Sequence, residues 1–156
     1  RITWWPQAWL GLVFSWGALV GWPAVTGNID WPPVMLWLGT VFWVLGYDTL
    51  YAIQDMEDDA LVGVKSSARR LGHKAPLGVA IFYSLALAGW GAAVWQVKPD
   101  WLALVALAPA ALHLAGQAAR ADPKDGEAAL ALFRSNRWCG LLVFLAMLVV
   151  GLSAAR

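Results

Sequence analysis

The chain has 156 residues, 60% hydrophobic and only 13% charged, where a soluble domain usually carries about 25% charged residues. A net charge of +1 with no basic run offers no footprint for nucleic acid. One cysteine, Cys139, excludes an intramolecular disulfide. It opens an apolar run and reads as a buried, inert thiol.

The apolar residues come in long blocks, and a bilayer core of about 30 Å needs about 20 of them as helix. Five blocks meet that length, at about 6–25, 33–53, 75–97, 101–119 and 138–154. None alternates like a barrel strand, and lipid leaves backbone polar groups no partner except within a helix. The expectation is an all-α polytopic transmembrane bundle, a single domain over 1–156 lodged in the lipid bilayer. The opening residues show no basic region followed by a short apolar segment and cleavage site, so no signal peptide is expected.

The first connector, Thr26 to Pro32, holds Gly27, Asn28 and two prolines and reads as a turn. Val97 to Asp100 is equally tight. The other two connectors, Gln54 to Lys74 and Arg120 to Arg137, are long and charged. Nine of the 11 Lys and Arg residues fall on the side of the long connectors, and only Lys98 and Arg156 on the other. The positive-inside rule makes that side cytoplasmic. Many of the 12 tryptophans stand near expected helix ends, as in two interfacial belts. Trp16, Trp37, Trp43 and Trp90 lie deeper, as packing residues.

The charged segment from Gly46 to Asp59 carries the chemistry. At about 100° per residue, Asp48, Asp55 and Asp59 fall within about 40° of one another if the second span continues past Ile53. Tyr51 lies on the edge of that stripe, Glu57 points away, and Asp58 lies to one flank. Carboxylates on one face repel each other, most where neighbouring helices exclude water. A hard divalent cation offsets the repulsion; magnesium takes one or two carboxylates and completes its shell with water and substrate phosphates. Lys65, Arg69 and Arg70 follow closely and suit phosphate oxygens. Acidic and basic clusters beside apolar helices point to a metal-bridged diphosphate with a lipid tail. The competing readings are a solvated loop of balanced charge, a transporter for a cation or phosphorylated solute, and a non-catalytic membrane scaffold. A transporter places its charges near the midplane, whereas here only Asp48 reaches inward.

The segment from Tyr47 to Ser67 resembles the second aspartate-rich motif of the UbiA-type intramembrane prenyltransferases, in particular those acting on 4-hydroxybenzoate in ubiquinone biosynthesis. The segment Arg1-Ile-Thr-Trp-Trp-Pro-Gln7 is similar to the one opening the family's fifth helix. Leu132-Phe-Arg-Ser-Asn-Arg137 with Gly140-Leu-Leu-Val-Phe resembles the approach to its last helix. The resemblance implies the carboxyl-terminal part of a bundle of about nine helices, in a bacterial inner membrane, with the active site facing the cytoplasm. It implies magnesium-dependent transfer of a polyprenyl group from its diphosphate to an aromatic acid. Asp55 and Asp59 would hold magnesium, and Lys65, with Arg69 or Arg70, would hold diphosphate. Asp48 and Tyr51 would orient that network or face the acceptor, and Arg1 would pair with its carboxylate, with a lipid-headgroup contact as the competing reading. The family's first motif, Asn-Asp-x-x-Asp-x-x-x-Asp, is not in this chain, so these residues alone are not expected to turn over substrate. His113 and Gln117 read as hydrogen-bonding groups between helices rather than ligands. His73 reads as an exposed loop residue. Arg134, Asn136 and Arg137 read as helix anchors, with the cavity mouth as the alternative.

Overall fold

The computed structural model describes residues 2–155, and among these every regular element is helical. Helices α1 (Pro6–Phe14) and α2 (Trp16–Thr26) follow one another across a single-residue break at Ser15. Then come α3 (Trp31–Gln54), the short α4 (Met56–Val62) and α5 (Ser67–Leu71), and α6 (Ala75–Val97) after a 3-10 turn. The chain ends with α7 (Trp101–Val105), α8 (Ala108–Arg120) and α9 (Gly126–Ala154). Among the described residues four helical stretches are long and apolar enough to cross a membrane: Pro6–Thr26, Trp31–Gln54, Ser67–Val97 and Gly126–Ala154.

The fifth expected span, 101–119, is not one helix. It breaks at Ala106 and Leu107 into α7 and α8. Pro109 has no N–H to donate and disfavours helical geometry at the residue before it. The backbone tightens into i to i−3 bonds, Ala106 N to Ala103 O at 3.2 Å and Leu107 N to Leu104 O at 3.0 Å. The last helix also starts earlier than expected, at Gly126 rather than near 138. There Asp125 accepts a hydrogen bond from Ala128 N at 2.9 Å, with Glu127 in the first turn, a start favourable to the helix dipole.

The packing centre is the pair α3 and α6, which make the most extensive contact in the molecule. They cross with their backbones almost touching. A Cβ added at Gly89 would lie 2.7 Å from Gly39 Cα, and one at Gly46 would lie 2.7 Å from Cδ1 of Tyr83. Small residues permit such approach, which dispersion rewards where lipid removes the hydrophobic drive. The α1–α2 stretch, α8 and α9 pack around this pair. Lys98 Nζ donates to Ser153 O at 3.1 Å, bringing the ends of α6 and α9 together at one end. At the other end a polar cavity of about 430 Å³ brings Gln54, Glu57 and Asp58 beside Lys124 and Gly126. The two charged connectors therefore share one end of the bundle, as the charge distribution predicts.

Candidate functional site

The aspartate segment does not continue α3. Helix α3 stops at Gln54, Asp55 stands between helices (φ −100°, ψ 5°), and α4 begins at Met56. The single stripe of Asp48, Asp55 and Asp59 is thereby broken into two parts. Asp48 stays on α3, half-buried, and among the described residues no three acidic, histidine or cysteine side chains gather as a metal cluster. Asp55 and Asp59 remain a helical pair: Asp59 N donates to Asp55 O at 2.8 Å, which puts both side chains on one face of α4. Burial and the Asp55 carboxylate, in that order, raise the Asp59 pKa above its ordinary value; Arg69 opposes them and Asp58 adds to them. Two mutually repelling hard oxygen donors fit magnesium, which takes one or two carboxylates and leaves the rest of its shell to water and phosphate.

Helix α4 ends at Gly63, whose φ of +71° is left-handed, and Val64 N turns back onto Asp59 O at 2.9 Å. Glycine adopts that conformation without steric cost. Arg69 then closes the loop. Its Nη1 donates to the carbonyls of Asp59 (3.1 Å) and Val64. Ser66 caps α5, its Oγ accepting from Arg69 N at 3.3 Å. The cationic groups of Lys65 and Arg69 both lie over the Trp4 ring, each 5.6 Å from its centroid. So Arg69 organises the loop as well as placing positive charge beside Asp59, whereas Arg70 is exposed. Glu57 and Asp58 are exposed and line the polar cavity instead. Arg1 lies outside the described residues.

Three polar residues unmarked in the sequence hold this loop to the bundle. Ser67 Oγ and Thr49 Oγ1 share a hydrogen bond at 2.7 Å, and Ser67 N donates to Gln7 Oε1 at 3.1 Å. All three are buried. Thus α1, α3 and α5 meet where the loop returns to the bundle.

A second buried network ties α3, α6, α8 and α9. Tyr83 OH donates to Gln117 Oε1 at 2.6 Å. Gln117 Nε2 lies 2.7 Å from Ser135 Oγ and 3.0 Å from His113 Nε2. Trp43 Nε1 donates to Asn136 Oδ1 at 2.9 Å, and Asn136 Nδ2 reaches Gln117 Oε1 at 3.3 Å. Gln117 thus bonds between helices, and His113 Nε2 reaches Ser135 Oγ of α9 at 3.4 Å, as their positions inside an apolar span require. Asn136 joins them, and Arg134 and Arg137 are exposed, Arg137 lying 5.1 Å from the Trp138 ring centroid. Cys139 is fully buried.

Phe133 meets two of the tyrosines of α3, a contact that sequence reasoning missed. Its ring contacts Tyr51 at 4.9 Å and Tyr47 at 5.7 Å between centroids. The only sequence signal is an aromatic residue among the charges at the start of α9. An apolar cavity of about 680 Å³ lies at the opposite end among Gly17, Gly21, Leu36, Val94, Phe144 and Gly151. Its lining carries no charge, so it has no means to hold a diphosphate, and the acidic pair remains the candidate site.

Residues 1–148 match the model of the UbiA prenyltransferase family. Similar curated proteins are named 4-hydroxybenzoate polyprenyltransferase, mitochondrial. The one from Arabidopsis thaliana is 44% identical over 151 residues, 92% of this chain and 36% of that protein. Those from Rattus norvegicus and Bos taurus are 42% and 40% identical, covering 96% and 100% of this chain and 40% and 42% of theirs. The chain thus spans less than half the length of these relatives. No solved structure gives a significant match. A family match over nearly the whole chain, on a membrane bundle carrying paired aspartates beside clustered basic residues, makes this chain a member of the UbiA prenyltransferase family.

Proposed function

We propose that the protein carrying this chain transfers a polyprenyl group from polyprenyl diphosphate to an aromatic acid. The relatives' names point to 4-hydroxybenzoate, and so to ubiquinone biosynthesis. The observation that carries the reading is the Asp55–Asp59 pair on one face of α4, with Arg69 bonded to the Asp59 backbone and Lys65 beside Arg69 on Trp4.

Asp55 and Asp59 would hold magnesium, which supplies charge neutralisation for the departing diphosphate. Lys65 contacts diphosphate oxygens, with Arg69 adding charge and fixing the loop. Asp48 and Tyr51, further along α3, face the reacting carbon and the acceptor. Packed apolar helices keep water from the allylic cation. The family's first aspartate-rich motif would come from outside these residues, so transfer needs the longer protein. The site faces the Lys- and Arg-rich side of its membrane, the cytoplasm if that membrane is a bacterial inner membrane. The relatives' mitochondrial names lend that particular membrane no support.

In the full-length protein, Asp55→Asn or Asp59→Asn abolishes magnesium-dependent prenyl transfer while membrane insertion persists. Wild-type turnover by either variant refutes metal ligation by that residue. Magnesium and prenyl diphosphate together, and neither alone, raise the thermal stability of the wild type. Equal stabilisation by simple inorganic cations supports transport instead.

A further inference from the structure

An aromatic wall begins one helical turn inside Asp55. Tyr51 and Phe133 lie 4.9 Å apart at 52°, Tyr47 and Phe133 5.7 Å at 58°, and Trp43 and Tyr47 5.2 Å at 77°. Tyr47 and Tyr51 follow at four-residue spacing, so one side of α3 carries them about 6 Å apart along its axis, and Asp55 caps the helix end four residues beyond.

Tyr51 is open where its neighbours are closed. It is 39% exposed, whereas Leu50, Ala52 and Ile53 are 0%, 5% and 3%. Helix α3 thus packs its aliphatic side and leaves this ring open one turn before the helix end that Asp55 caps. The three contacts are tilted or edge-on, so no parallel stacking masks a ring face. Such faces carry the negative part of the aromatic quadrupole and attract cations, most strongly where water is excluded.

Resting on the prenyl-transfer reading, we infer that Tyr51 and Phe133 are catalytic residues whose ring faces stabilise the positive charge developing on the allylic carbons. With the diphosphate at Asp55 and Asp59, the first carbon of the prenyl chain lies beside Tyr51. The C–O bond to that carbon breaks, and its electron pair leaves on the diphosphate. A ring carbon of the acceptor supplies the pair for the new C–C bond, and the ring proton passes to water at the interface. The charge exists only near the transition state, so the rings speed the step without tightening substrate binding. Tyr47 is a positioning residue that supports Phe133. It is braced in turn by Trp43, whose indole is fixed on Asn136.

The test uses the full-length enzyme and the single-turnover rate of transfer. Mono-, di- and trifluorinated phenylalanine at position 133 weaken the ring quadrupole at nearly constant volume. The logarithm of the rate should fall stepwise along the series, with KM for the diphosphate and thermal stability unchanged. The same series at Phe82, whose ring meets Trp5, should leave the rate flat. Tyr51→Leu and Phe133→Leu should each lower the rate roughly tenfold. A wild type that transfers prenyl groups but shows a flat series at 133, or losses confined to KM, overturns the aromatic role alone. A wild type with no magnesium-dependent transfer overturns the prenyl-transfer reading and this inference with it.

Discussion

Asp59 occupies a field that opposes its own ionisation. Burial and the Asp55 carboxylate hold its pKa above the ordinary carboxylate value despite Arg69. A carboxyl with a raised folded pKa binds its proton more tightly folded than unfolded. Its favourable contribution is complete below the unfolded value and is lost as pH rises through the folded one. Metal-free protein should therefore gain thermal stability from Asp59→Asn at neutral pH, and the gain should vanish once the medium is more acidic than the ordinary carboxylate pKa of about 4. Thermal unfolding in detergent across pH checks this, and a variant less stable than wild type at neutral pH would contradict it. The strain is consistent with a site shaped for a cation rather than for its own stability. The pair itself was legible in the sequence, because four-residue spacing survives as one helical turn. The membership of Asp48 was not, because nothing in the composition marks the break at Asp55.

At the scale of elements, the bundle depends on the glycine crossing of α3 and α6. Gly89→Leu forces the two helices apart, since even a Cβ there meets Gly39 Cα at 2.7 Å and Met35 O at 3.0 Å. Overpacking of this kind costs about 1–3 kcal/mol, readable as a lowered Tm. Gly17→Ala is the contrasting case: its Cβ meets nothing within 4 Å, so Tm should hold. Hydropathy located α3 and α6 closely, because their apolar runs coincide with their helical extent. It misplaced α8 and α9 for opposite reasons. Pro109 breaks a run that is apolar throughout, while Arg134 and Arg137 sit in a stretch that is helical without being apolar.

For the molecule as a whole, the charged connectors gather at one end and the ends of α6 and α9 at the other. A cysteine at Asp122 should then be labelled only from the Lys- and Arg-rich side of the membrane, and one at Asn28 only from the opposite side. The native Cys139 is buried and should not compete. Reversed labelling would overturn the topology. The α1–α2 stretch and α9 bury little of their surface within the chain, while α3 buries half of its span. The outer helices thus present apolar faces to lipid or to further helices.

The amino-acid sequence by itself determined the helical membrane class and that the two charged connectors lie at one end of the bundle. Each of these follows from composition, charge count or local spacing, which need no knowledge of distant contacts. Only the tertiary structure decided that Arg69 locks the loop, that Gln7, Thr49 and Ser67 anchor it, and that Phe133 meets Tyr51. Those pairings join positions as far apart as 51 and 133, and which side chains meet across such a separation is set by how the helices cross.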